Sequence, residues 1–82
     1  MDEKRFDRPV RILLGRSGKV RSVTSTREAA ECLLNRWPIE GLKHFQARLA
    51  CMAVLEGIKE IRTARKAFEA AAAEADILVV GK

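Results

Sequence analysis

With 82 residues, 48% hydrophobic and 33% charged, and a formal net charge of +5, the chain fits one globular domain over residues 1–82 and leaves no room for a second. Its longest apolar run, Leu49 to Leu55, falls far short of the roughly 20 residues that cross a bilayer, which excludes a transmembrane helix. The charged start Met1-Asp2-Glu3-Lys4-Arg5-Phe6-Asp7-Arg8 lacks the roughly 7–15-residue apolar core of a signal peptide, so a cytoplasmic location is expected.

From Pro9, the residues Val10, Ile12 and Leu14 alternate with Arg11, the period of a half-buried strand, although Leu13 breaks the alternation. Gly15-Arg16-Ser17-Gly18 supplies a turn, and the basic, β-branched stretch Lys19 to Val23 completes a β-hairpin. Ser25-Thr26-Arg27-Glu28 reads as a capping box. The serine oxygen accepts from the Glu28 amide while the Glu28 carboxylate reaches back to the amide of Ser25, starting a first helix. Ala29, Ala30, Leu33, Leu34 and Trp37 give that helix an apolar stripe, and Pro38 ends it.

After Gly41, the residues Leu42, Phe45, Leu49 and Met52 form the stripe of a second helix, and from Leu49 to Leu55 it is apolar all round, which predicts burial from every direction. Gly57 is placed to take the left-handed conformation after its end. A third helix uses Ile61, Ala64, Phe68, Ala71 or Ala72, and Ala75 as its apolar face, with alanines that permit close packing. The apolar, β-branched run Ile77-Leu78-Val79-Val80 reads as a final strand joining the hairpin. The expected fold is α+β, in the order β-β-α-α-α-β, with a three-stranded antiparallel sheet packed against helices.

Taken together, Phe6, Pro9-Val10, Ala29-Ala30, Leu33-Leu34, Trp37-Pro38, His44, Cys51 and Gly57 resemble domain-of-unknown-function family 982 (DUF982). So do Ala64-Arg65, Ala67-Phe68, Ala71-Ala72 and Glu74-Ala75. The likeness covers nearly the whole chain, and the family comprises small proteins found mainly in soil and plant-associated bacteria. Asp76 stands where that family would have a glycine, a departure confined to the final turn. The resemblance implies no activity, cofactor or catalytic residue.

The charge is concentrated. Arg8, Arg11, Arg16, Lys19, Arg21 and Arg27 occur with no acidic residue between Arg8 and Arg27. Such a ribbon could meet nucleic acid phosphates through Arg11, Arg16, Lys19 and Arg21. The plainer reading, a solvated sheet face and an edge guarded by charge, takes precedence, and the absence of aromatics there removes base stacking.

His44, Arg48 and Cys51 share one face of the second helix and, with Trp37, form a candidate pocket or interface. His44 and Cys51 are two turns, roughly 10 Å, apart, too far for direct proton transfer. No third group is nominated to orient a base, so no catalytic residue is assigned. For His44 the plainer reading is a partly buried histidine near the helix start, hydrogen-bonded to a loop. For Trp37 it is a core plug, and for Arg65 with Glu69 a helix-surface ion pair.

Cys32 and Cys51 lie in apolar helical surroundings without the clustering a zinc site needs, which predicts reduced, buried thiols and no metal or cofactor. A chain this short buries only about 60% of its unfolded surface. Oligomerisation is the remaining supplement to a thin core, and a non-enzymatic, self-associating interaction or regulatory module, present as a homodimer, is expected, with nucleic-acid binding by the basic hairpin from Arg8 to Arg27 as the alternative.

Overall fold

The structure, a computed structural model, describes residues 4–14, 18–35 and 37–79. Among these, two strands precede three helices: β1 (Arg5–Leu14), β2 (Lys19–Ser25), α1 (Thr26–Asn35), α2 (Leu42–Leu55) and α3 (Ile61–Glu74). The expected hairpin forms, with Val10 opposite Val23 and Ile12 opposite Arg21 in antiparallel register. Of its turn, Gly15, Arg16 and Ser17 lie outside the described residues, and Gly18 adopts φ +71°. The pairing is irregular between Arg5 and Val10, where Pro9 has no amide to give. Arg65 supports this stretch from α3, its Nε donating to the Arg8 carbonyl at 2.9 Å.

Val10, Ile12 and Val23 point inward and are buried. Arg11, Leu13, Val20 and Ser22 lie outward, so one face of the hairpin is covered and the other is open. α3 fills the centre with Ala64, Phe68, Ala71 and Ala72, all fully buried. The small side chains let α2 approach closely, and Phe68 supplies the bulk.

The three-stranded sheet and C-terminal strand expected from Ile77 to Val80 are not present among the described residues. The sheet has two strands, and Leu78 makes only an isolated bridge to Ile12. The cause is local. Ile77 accepts from the Leu13 amide at 2.8 Å, but its own amide donates to Ala72 at 2.9 Å, closing the end of α3. The second ladder bond at that position is thereby lost, and Val79 adds one bond, to Arg11, at 2.9 Å. Val80 lies outside the described residues.

The start of α1 confirms one half of the capping box and shifts the other. The Glu28 amide donates to Ser25 Oγ at 3.1 Å. The Glu28 carboxylate, however, takes the amide and hydroxyl of Thr24, at 2.7 and 2.8 Å, in place of the Ser25 amide. Gly57 adopts φ +81°, as expected, and the Gly57 and Ile58 amides close α2 onto Val54 and Ala53. The same closure ends α3, with Asp76 at φ +60° in the position glycine takes after α2.

Candidate interaction surface

α2 carries two apolar stripes, and sequence periodicity alone does not say which one faces the core. The buried stripe is His44, Ala47, Cys51 and Val54. The stripe read from the sequence as inward, Leu42, Phe45, Leu49 and Met52, faces out, with exposures of 64, 48, 52 and 56%. Burial of α2 from all directions is therefore corrected: small side chains sit inside because alanine-rich α3 packs tightly there, and the large ones are left outside. Leu34 of α1, expected in that helix's inward stripe, is likewise 68% exposed, while Cys32 takes an inward place.

Between the outer surfaces of α1 and α2 lies a groove of ≈ 210 Å³, lined by Ala30, Leu34, Phe45, Arg48, Leu49 and Met52. Arg48 is its one charged member. The guanidinium carbon lies 5.7 Å from the Phe45 ring centroid, and its buried Nε has no hydrogen-bond partner. A cation held against an aromatic face with no ion pair among the described residues is under-compensated for its lost hydration. Sequence reading grouped Arg48 with Trp37, His44 and Cys51, but the structure places it with the outer apolar residues.

The other three belong to the interior. His44 Nε2 lies 2.7 Å from the carbonyl of Leu33, in the last turn of α1. That geometry makes Nε2 the donor, to a carbonyl with no partner inside its own helix. The expected partner was a loop; the actual one is a helix end. Trp37 is buried between His44 and Phe68, with ring centroids 6.1 and 5.4 Å away, as a core plug. Cys51 is fully buried, and desolvation pushes its thiol up to about 12. Burial also raises Cys32, the main cause outweighing the nearby Arg21. Both cysteines are free and buried, and both thiols are held in the poorly nucleophilic protonated form.

The basic hairpin residues are divided. Arg11 lies outward with Ser22 opposite, whereas Arg21 falls on the side of Ile12 and reaches Glu28 at 3.4 Å. Lys19 is exposed near the turn, Arg27 pairs with Glu31 at 3.9 Å, and Arg16 lies outside the described residues. Arg65 and Glu69 form the expected ion pair, at 3.2 Å. Among the described residues no group of three or more His, Cys, Asp or Glu side chains is placed to hold a metal, and no helix is long and apolar enough to cross a membrane.

The family described as "Protein of unknown function (DUF982)" matches residues 8–79. The chain belongs to the DUF982 family. The NMR structure of Agrobacterium tumefaciens protein Atu1219, a structural-genomics target, is similar at 34% identity and a TM-score of 0.81. The match covers 99% of this chain and 81% of Atu1219. No curated protein matches. Most DUF982 residues that carried the resemblance prove to be interior: Phe6, Val10, Ala29, Leu33, Trp37, His44, Cys51, Ala64 and Phe68 are all buried. They specify packing. The outward stripe of α2 was missed as a surface because the all-round apolar run concealed that only one side of the helix has neighbours.

Proposed function

We propose that this chain is a non-enzymatic interaction module that pairs with a second copy of itself through the outer face of α1 and α2. The observation that carries the reading is the contiguous exposure of Leu34, Leu42, Phe45, Leu49 and Met52. At roughly 200 Å² for a fully exposed large apolar side chain, these present about 600 Å². That is the upper end of what a monomer leaves open, and it approaches the roughly 800 Å² per partner of a stable interface. Ile39, Leu55 and Ile58, also exposed, are further large apolar side chains on or next to α2. A two-fold axis lets one patch serve both copies, as a homodimer requires. The buried, free thiols suit a reducing compartment, and the proposal places the module in the cytoplasm.

Sedimentation equilibrium over a wide concentration range tests this. The expected result is a mass of two chains and a melting temperature that rises with concentration. A single-chain mass at high concentration with concentration-independent melting rejects it. Salt-sensitive binding to duplex or single strands, weakened alike on every sequence by Lys19→Ala and Arg21→Ala, would select the nucleic-acid alternative.

A further inference from the structure

We infer that the groove between α1 and α2 is a binding site for a medium-chain carboxylic acid, whose chain lies along Ala30, Leu34, Leu49 and Met52 and whose carboxylate meets Arg48. Because the site opens on the proposed self-association face, its occupation also displaces the second copy; this regulatory half rests on that reading, and the binding half does not.

Three observations converge on this ligand class. Five of the six lining residues are apolar, so the groove favours an alkyl chain over a polar metabolite. Its volume sets the length: a cavity of about 150 Å³ accepts benzene, so ≈ 210 Å³ has room for about eight carbons. Its single cation sets the head group. Arg48 is half-buried, its Nε has no acceptor, and among the described residues it forms no ion pair. Its Nη end is left to take an anion, and a planar carboxylate matches a guanidinium fork.

Titration of the full chain with octanoate, followed by ¹H–¹⁵N NMR at the lowest workable concentration, reads the binding half. Shifts should concentrate at Ala30, Leu34, Phe45, Arg48, Leu49 and Met52. Affinity should fall about fourfold for each methylene removed, through hexanoate to butanoate. Arg48→Met, which keeps the apolar stem, should weaken octanoate at least tenfold, and Arg48→Lys should restore part of the loss. Octylamine should not bind. Ala30→Leu, filling the groove from α1, gives a second blocked variant if Arg48→Met fails to fold. No shift at millimolar octanoate, shifts spread over the whole surface, or equal binding by octylamine or by Arg48→Met would overturn the site.

Sedimentation with and without octanoate reads the regulatory half. A dimer that dissociates supports it, and a dimer that binds octanoate without dissociating overturns it. A chain that is monomeric throughout rejects self-association and with it the regulatory half, while the titration still decides the groove.

Discussion

Cys51 shows how a single buried side chain ties packing to solution behaviour. The unfolded chain ionises this thiol near 9.0, whereas folding holds it neutral to about 12. The contribution of Cys51 to stability is therefore level below pH 9 and falls as pH rises from 9 towards 12, because only the unfolded state releases the proton in that window. Urea unfolding at successive alkaline pH values should show the decline, and Cys51→Ala should make it shallower. Native thiol labelling should be slow at both cysteines; rapid labelling at full stability would contradict their burial. Glu28 acts with the opposite sign. The Thr24 amide lowers its carboxyl first, and the Thr24 hydroxyl and Arg21 add to this against the opposing effect of burial. Its contribution is present above pH 4.5 and lost as pH falls. Glu28→Gln should lower stability at neutral pH and flatten the acid limb of the pH profile.

The helix ends show what was legible in the sequence and what was not. Ser25, Gly57 and the spacing of Ala64, Phe68, Ala71 and Ala72 announced their roles, because each rests on local backbone geometry or on one dominant period. The cap of α2 had no local signal. It begins at Gly41 without a side-chain cap, and its Lys43 and His44 amides donate to Glu74 of α3, at 3.2 and 3.3 Å. A Cβ at Gly41 would stand 2.7 Å from that carboxylate, which would have to shift to make room for it. Glu74→Ala should cost about 1 kcal/mol, the size of an ordinary cap, measured by chemical denaturation. The last strand failed for a related reason. Its β-branched composition was right for pairing, but α3 had already claimed the Ile77 amide. Asp76, the departure from the family pattern, holds a left-handed conformation that costs an L residue roughly 1–2 kcal/mol, less for aspartate. It also places a negative charge at a helix C-terminus. Asp76→Gly should stabilise the chain by about 0.5–1 kcal/mol.

For the whole molecule, the two faces of α2 separate folding from association, because large apolar residues on the outer side do little for the core and small ones on the inner side do much. Phe68, fully buried against Trp37, is the largest fully buried side chain among the described residues. Phe68→Ala should cost about 3–5 kcal/mol, comparable with the entire stability of a domain this size, and the single tryptophan's fluorescence should report the loss. Leu49→Lys with Met52→Lys should do the reverse. Both positions are more than half exposed, so the charges stay in water and the monomer's unfolding free energy should change by no more than about 0.5 kcal/mol. The same pair would place like charges at the middle of the proposed dimer contact, where two copies meet across the axis, and should abolish the two-chain mass in sedimentation. Its melting temperature should then cease to depend on concentration. If the double variant instead unfolds, the outer stripe carries the fold and α2 is packed in solution differently from its place here. If it associates as the parent does, the second copy binds elsewhere, and the open side of the hairpin, where Leu13 and Val20 are exposed, becomes the surface to change next.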